Sequence, residues 1–145
     1  MSSLGSNGVV VGAAVVRDGV LLAQRRAWPP EAAGKWELPG GRVEAGESDV
    51  EALRRECVEE LDVEIAVGTQ VGPDVDLPGG KVLRIFAAGL VSGEPRAVEH
   101  LELRWLTAAQ LPDVDWLPAD RLLLGDLTAL LDGASAASDQ PERGL

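Results

Sequence analysis

The stretch from position 41 to position 63 constrains this chain more than any other. It sets a glycine-containing turn directly ahead of a helix. Ser48 followed by Glu51 is a capping box, so we expect the helix to begin near Asp49. Four apolar residues then recur at near-helical spacing and predict the side that faces a core, namely Val50, Leu53, Cys57 and Leu61.

Three carboxylates lie together on one edge of this helix, off the apolar side. Glu56, Glu59 and Glu60 stand at positions i, i+3 and i+4, and like charges at i and i+4 destabilise an isolated helix by roughly 0.2–0.5 kcal/mol per pair. A solvated acidic face is the simplest interpretation. The alternative is a cation site, because a cluster of oxygen ligands favours Mg²⁺ or Mn²⁺, whereas a softer metal would need Cys or His.

The length and composition indicate one globular domain with a real core. The chain has 145 residues, of which 46% are hydrophobic, and a second domain would not fit. The two ends are smaller and more polar than the middle. We therefore expect a flexible N-terminus over residues 1–7, a domain over residues 8–132 and a disordered tail over residues 133–145.

Charge and hydropathy narrow the classes of partner. The net charge of −11 opposes broad electrostatic binding of a nucleic-acid polymer. No apolar run reaches the length of a membrane span, and the first residues lack the features of a signal peptide, so we expect a cytoplasmic protein with no membrane partner. The lone Cys57 is expected to be a small core residue.

The order of the predicted elements indicates the α/β class. Apolar runs and turn signals predict a buried hairpin with strands over residues 9–16 and 20–24. A loop with two prolines is expected over residues 27–35. Further strands are expected over residues 36–39, 81–91 and 102–106. Thr107 and Gln110 form a second capping box, and an amphipathic helix over 121–131 is expected to end at Gly133. Strands before, between and after two main helices predict a layered domain with a mixed sheet.

The acidic stretch matches a known pattern, the Nudix box, which reads glycine, five residues, Glu, seven residues, then Arg-Glu-apolar-x-Glu-Glu-x-Gly-apolar. The residues in register are Gly41, Glu47, Arg55, Glu56, Cys57, Glu59, Glu60 and Val63. Asp62 stands where the pattern has its late glycine, and because Asp tolerates left-handed geometry, this departure affects the helix end rather than the chemistry. The chain therefore resembles the Nudix hydrolase family.

The resemblance extends over residues 8–132. The segments LLAQRRAWPPEAAGKWELPGGRVEAGE and VDWLPADR are similar to MutT-type Nudix enzymes, in particular to the actinobacterial branch that hydrolyses CTP and dCTP. This resemblance implies a Nudix-type α/β/α sandwich with a mixed β-sheet. It also implies Mg²⁺-dependent hydrolysis, with Mn²⁺ as a substitute, of a nucleoside triphosphate to the monophosphate and pyrophosphate.

The resemblance also implies roles for individual residues. Glu47 would pair with Arg55 and orient the acidic cluster. The base that takes a proton from water would be Glu56 or Glu99, and we favour Glu56 because the helix fixes it. The metal ligands would be the carbonyl of Gly40 and the carboxylates of Glu56, Glu59, Glu60 and Glu99.

Six residues are candidates for binding the substrate, namely Arg25, Lys35, Gly40, Gly41, Arg84 and Phe86. The two glycines let the backbone approach a ligand closely, and MutT-like enzymes have a substrate-binding arginine at the position of Arg25. Arg84 is a cation in an apolar strand and needs either an internal ion pair with a Glu at the core edge or a phosphate. A phenylalanine in a strand, such as Phe86, more often packs in the core than stacks on a ligand.

Two further residues bear on base recognition and proton transfer. Where the MutT pattern has Pro-Ala-Asn, this chain has Pro118-Ala119-Asp120. An ionised Asp accepts a hydrogen bond, and the cytosine N4 amino group is its natural donor, although guanine also offers donors. Asp120 fits the N-cap of the last helix as well. His100 is expected to be an incidental surface histidine.

The favoured function is therefore a pyrophosphohydrolase acting on CTP and dCTP. An 8-oxo-dGTP sanitising enzyme is the alternative within the same class. A Nudix-like module that senses a nucleotide without cleaving it is the alternative from another class, and the loss of box carboxylates would mark it, whereas this chain retains them. We expect a small nucleotide as partner and favour a monomer over a dimer.

Overall fold

The computed structural model describes residues 8–138. The helices in this range are α1 (Asp49–Leu61), α2 (Pro118–Arg121) and α3 (Leu124–Ser138), with 3-10 helices over Pro78–Gly80 and Ala108–Asp113. Within the same range, eight strands form a mixed sheet, namely β1 (Val9–Arg17), β2 (Val20–Arg25), β3 (Trp36–Glu37), β4 (Gly40–Arg42), β5 (Glu64–Gln70), β6 (Val75–Asp76), β7 (Val82–Ser92) and β8 (Glu102–Leu106). The predicted flexible segment 1–7 lies outside the described residues.

The β1–β2 hairpin is where the sheet divides into two groups of strands. Asp18 and Gly19 both have positive φ, 54° and 79°, which suits a two-residue hairpin turn. The two strands pair only next to this turn. Beyond it, β1 lies between β4 and the parallel strand β7, whereas β2 lies between β3 and β8. The predicted hairpin is confirmed, and it connects the two groups.

Helices cover both faces of the sheet, and each face has its own apolar core. On one face, Leu53 and Cys57 of α1 pack with Val11 of β1. On the other face, Leu127 of α3 packs with Ile85 of β7. The expected α/β/α sandwich with a mixed sheet is therefore confirmed.

Helix α1 begins and ends where the sequence predicts. Ser48 and Glu51 form both hydrogen bonds of the capping box. Asp62 ends the helix in the left-handed conformation, with a φ of 61°, so it replaces the glycine of the box without changing the geometry. One detail of the expected apolar side is wrong, because Val50 is 41% exposed and Ala52 lies in the core instead.

The C-terminal helices differ from the prediction. The expected helix over 121–131 is two helices, and α3 continues through Gly133 to Ser138. A glycine inside a helix costs only about 1 kcal/mol relative to alanine, and the alanines that follow favour continuation. The first part of the tail predicted over 133–145 is thus helical, and residues 139–145 lie outside the described residues. Between residues 8 and 138, no helix combines the length and apolar character needed to cross a membrane.

Candidate active site

The turn that leads from β3 towards α1 brings backbone and carboxylate into close contact. Gly40 has a φ of +156°, and a Cβ there would overlap the backbone of Val11, so only glycine fits. A Cβ at Gly41 would overlap the carboxylate of Glu56, whose farther oxygen would lie 2.8 Å away. Close approach therefore requires both glycines, the first because of β1 and the second because of α1.

The predicted pairing of Glu47 with Arg55 is confirmed. Arg55 Nε donates to Glu47 Oε2 at 2.6 Å, and Arg55 Nη2 donates to Glu47 Oε1 at 2.9 Å. The same guanidinium donates to Glu56 Oε2 at 3.1 Å and to the carbonyl of Arg42 at 3.1 Å. Hydrogen bonds from Arg55 lower the pKa of Glu47 to about 2. Arg55 thus fixes the orientation of Glu56.

Glu56 and Glu60 are the most buried carboxylates of the box. Glu60 is 8% exposed, and its Oε1 accepts from Gln24 Nε2 at 2.8 Å and from the Gly40 N–H at 3.2 Å. Burial, together with a smaller effect of the neighbouring Glu56, raises the pKa of Glu60 to about 8. Burial likewise raises the pKa of Glu56, although Arg55 opposes the rise. The pair therefore favours binding of a proton or a cation.

The other two predicted metal ligands are exposed. The side chain of Glu59 is 53% exposed and lies 3.5 Å from Arg55, and Glu99 is exposed in the loop 93–101. Across residues 8–138, no three side chains of the types that bind metals converge on one point. The structure thus brings Glu56 and Glu60 to the glycine turn and leaves Glu59 and Glu99 outside this pair.

Four polar residues that the sequence analysis did not assign to the site form a cluster that reaches the buried pair through Gln24, namely Gln24, Arg26, Glu37 and His100. Glu37 accepts from Arg26 Nη1 at 3.0 Å and contacts His100 Nε2 at 2.9 Å, while Gln24 lies between Glu37 and Glu60. The prediction of a surface histidine is wrong, because the side chain of His100 is 9% exposed. One signal was available, since Gln24 is a polar residue in an apolar strand.

Two adjoining cavities lie beside this cluster. The larger has a volume of about 540 Å³ and includes the apolar side chains of Leu77, Pro78 and Leu117 in its wall. The smaller, about 120 Å³, is lined by the Gly40-Gly41 turn and Arg26. Both are lined by the same four residues, Val10, Glu37, Leu83 and Asp120. We call the two cavities together the groove, and it runs from the apolar end to the glycine turn.

Asp120 lies in the wall that the two cavities share. It is 7% exposed, and its Oδ2 accepts from the Leu38 N–H at 3.1 Å. Burial raises the pKa of Asp120 to about 7. Because Asp120 lies within α2, whose N-cap is Leu117, the alternative that it caps the last helix is wrong.

Comparison with known proteins bears directly on this arrangement. The sequence profile of the NUDIX domain matches residues 6–127. The chain belongs to the Nudix hydrolase family. A Mycobacterium tuberculosis protein provisionally named 8-oxo-dGTP diphosphatase 2 is 50% identical over 133 residues, which cover 90% of this chain and 94% of that protein.

Two other Nudix relatives are similar over most of their length. The CTP pyrophosphohydrolase of Escherichia coli is 36% identical over 123 residues, which cover 83% of this chain and 91% of that protein. The crystal structure of a MutT NUDIX hydrolase from Burkholderia pseudomallei has a TM-score of 0.67 and 36% identity, covering 82% of this chain and 96% of that chain. The expected membership among MutT-type Nudix hydrolases is therefore confirmed.

Membership in the Nudix family brings an expectation of a divalent metal ion, which these enzymes generally use. The groups at the glycine turn fit such an ion, because the carbonyl of Gly40 and the carboxylates of Glu56 and Glu60 are all hard oxygen donors. A positive charge would also relieve the repulsion between the two buried carboxylates.

Four of the predicted substrate-binding residues do not line the groove, namely Arg25, Lys35, Phe86 and Arg84. Arg25 pairs with Glu102 at 3.1 Å, and Lys35 pairs with Asp115 at 2.9 Å. Phe86 packs against the core beneath α1. Side chains alternate along β2, so Arg25 lies on the opposite face from Gln24. The following arginine, at position 26, is the one that lines the groove.

Arg84 also has internal partners rather than a place in the groove. It donates to Asp49 Oδ2 at 2.8 Å and to Asp74 Oδ2 at 2.7 Å. Hydrogen bonding to this guanidinium lowers the pKa of Asp74. Of the two alternatives for Arg84, the internal ion pair is therefore the one observed, and its partners are aspartates in α1 and before β6 rather than a glutamate.

Proposed function

We propose that this protein is a Mg²⁺-dependent nucleoside triphosphate pyrophosphohydrolase that converts CTP and dCTP to the monophosphate and pyrophosphate. The observation that carries the proposal is the groove, which runs from an apolar cavity beside Asp120 to the Gly40-Gly41 turn. A nucleotide has the same order of parts, with a flat base at one end and phosphates at the other. The name of the Escherichia coli relative, CTP pyrophosphohydrolase, supports the choice.

The phosphates would lie at the glycine turn, beside the buried carboxylates. Hydrolysis of a phosphoanhydride needs neutralised charge on the phosphoryl oxygens, a positioned water and a base. A bound Mg²⁺, or Mn²⁺ in its stead, would neutralise that charge and make the water more acidic. The residues that would hold it are Gly40 through its carbonyl, Glu56 and Glu60, with Glu59 and Glu99 as exposed additional ligands.

Glu56 is the proposed base. Its Oε2 accepts from Arg55 at 3.1 Å, and Arg55 is itself held by Glu47, so the carboxylate has a fixed direction. The absence of a side chain at Gly41 leaves room for it. Glu56 would take the proton from the attacking water as the bond between the first two phosphates breaks.

Asp120 is the proposed reader of the base. Its carboxyl is buried in the wall of the groove, and the Leu38 N–H holds one oxygen. In the ionised form it can only accept, so it would accept from the cytosine N4 amino group and oppose the O4 of uracil. Because the pKa of Asp120 is about 7, this preference should strengthen as pH rises above neutrality.

Hydrolysis of 8-oxo-dGTP is the second candidate, and the same raised pKa favours it. When Asp120 is protonated it can also donate, which suits a carbonyl oxygen of an oxidised guanine. The larger cavity, at about 540 Å³, falls within the range of roughly 300–1,000 Å³ typical of small-molecule sites. The name of the Mycobacterium tuberculosis relative supports this substrate.

The test is a panel of nucleotides assayed for pyrophosphate release at fixed Mg²⁺. We expect the highest kcat/KM with CTP and dCTP, and loss of release with Glu56→Gln. A higher kcat/KM with 8-oxo-dGTP would replace the first candidate with the second. Nucleotide binding without any release would refute hydrolysis and indicate a sensing module.

A further inference from the structure

The carboxylate of Glu37 contacts three side chains from two other parts of the chain. Arg26 Nη1 donates to both of its oxygens at 3.0 Å. His100 Nε2, from the loop 93–101, lies 2.9 Å from Oε2, and Gln24 Nε2 lies 3.4 Å from the same oxygen. Because a carboxylate can only accept, all three partners act as donors. Glu37 is thus a shared anchor for β2 and for this loop.

Gln24 extends this anchor to the buried pair. Gln24 and Glu37 are direct partners in the pairing of β2 with β3, and Gln24 is fully buried. Its amide nitrogen donates to Glu60 Oε1 at 2.8 Å. A shift of Glu37 would therefore also move the donor that holds Glu60.

His100 extends the anchor in the other direction, to Glu99. The backbone on either side of Glu99 is held by two hydrogen bonds, from the Val98 N–H to the Glu60 carbonyl at 3.3 Å and from the Leu101 N–H to the Arg25 carbonyl at 2.9 Å. Between these two backbone hydrogen bonds, the loop is also held by the side-chain contact of His100 with Glu37. It fixes the loop at the residue next to Glu99.

Glu99 lies outside the groove but lines a cavity next to it. Together with His100 and Arg26 it lines a cavity of about 170 Å³, and Arg26 also lines the groove. Neither ring nitrogen of His100 is available for proton transfer, because Nε2 is bonded to Glu37 and Nδ1 is buried without a hydrogen-bond partner among the described residues. What the ring supplies is therefore a fixed position for the loop.

We propose that His100 is a positioning residue, which holds Glu99 beside the groove through its bond to Glu37, and that Gln24 connects the same anchor to Glu60. The carboxylate on the loop and the carboxylate on the helix are then aligned by one group. This inference rests on the proposed function, in which Glu60 and Glu99 serve the divalent ion.

The test compares His100→Gln with His100→Asn in the full-length protein. The glutamine amide nitrogen reaches the position of Nε2, whereas that of asparagine reaches only the position of Nδ1. We expect His100→Gln to keep kcat within about threefold and His100→Asn to lower it about tenfold or more, because only the second loses the hydrogen bond. Amide hydrogen exchange at Val98 and Leu101, without metal or nucleotide, should accelerate about tenfold in His100→Asn alone.

A double-mutant cycle separates positioning from a merely structural effect. Glu99→Gln should lower kcat strongly in the unmodified protein and by less than about threefold in the His100→Asn background, since the carboxylate is already displaced. Equal loss in both backgrounds, or equal exchange rates in the two His100 variants, would overturn the proposal. If the unmodified protein releases no pyrophosphate, the proposed function fails, and the exchange rates still decide whether His100 anchors the loop.

Discussion

Replacing Gly41 with alanine tests the site by adding a single methyl group. The new Cβ would overlap the carboxylate of Glu56, so the carboxylate has to move by about 1 Å, a displacement that can lower a catalysed rate about 10²-fold. Gly41 is not among the residues with positive φ, and its backbone therefore accepts alanine. We expect kcat/KM to fall by about that factor.

Stability should change far less than activity in the Gly41→Ala variant. The group that must move is the flexible end of a side chain, and replacing glycine by alanine stabilises a compatible position by about 0.4–1 kcal/mol through the unfolded state. The net change in the free energy of unfolding is expected to stay within about 1 kcal/mol. Gly40→Ala should instead lower the free energy of unfolding strongly, because its Cβ would overlap the backbone of Val11, which cannot move aside as a side chain can.

The assay is pyrophosphate release from CTP at saturating Mg²⁺, paired with thermal unfolding of each variant. Gly89→Ala is the matched control, because the space around a Cβ at Gly89 is open. Normal kcat/KM for Gly41→Ala would refute the requirement for Glu56 in its observed position. If Gly41→Ala lost as much stability as Gly40→Ala, the added methyl group would be disrupting the fold rather than displacing only the Glu56 side chain.

Four further predictions concern charged side chains. Glu56→Gln and Glu60→Gln should each lower turnover by on the order of 10²-fold at saturating Mg²⁺, and near-normal rates would refute the metal site. Because burial raises the pKa of Glu60 from 4.5 to about 8, the folded protein keeps a proton there that the unfolded chain releases. The melting temperature without metal should thus fall as pH rises through this window, and less so in Glu60→Gln. Arg84→Ala should lower stability by about 1–2 kcal/mol at unchanged KM, whereas Arg96→Ala, at an exposed ion pair, should cost less than about 1 kcal/mol. A raised KM of Arg84→Ala at unchanged stability would contradict this prediction and indicate that Arg84 binds the substrate phosphates. CTP should be preferred over UTP by roughly 10- to 100-fold in kcat/KM, and Asp120→Asn should narrow this gap because an amide can donate to O4; equal rates in the unmodified protein would remove Asp120 from base recognition.

Helix α1 could be predicted because its signals are local. The capping box at Ser48 and Glu51, the left-handed residue at Asp62 and the spacing of Glu47 from Arg55 all act within a few turns of chain. The exposure of Val50 could not be read in the same way. It depends on which part of the helix the sheet covers, and spacing alone does not give that.

The anchor around Glu37 could not be predicted, because it depends on contacts between distant strands. Gln24 meets Glu37 only through the pairing of β2 with β3, and His100 reaches it from a loop more than sixty positions away. For the same reason, the sequence did not show which of Arg25 and Arg26 lines the groove. Neighbouring residues of a strand point to opposite faces, and only the tertiary structure shows which face borders the groove.

Glu60 links the stability of this domain to its chemistry. Its side chain is 8% exposed, and an apolar residue of similar size would fill the same space without the cost of burying a carboxylate. Its two donors, Gln24 and the Gly40 N–H, satisfy one oxygen, yet burial and Glu56 still raise its pKa to about 8. A divalent ion that binds only the folded state would offset this cost, by about 2.7 kcal/mol at a hundred times its Kd. A bound ion, rather than packing, would then account for a carboxylate at this position.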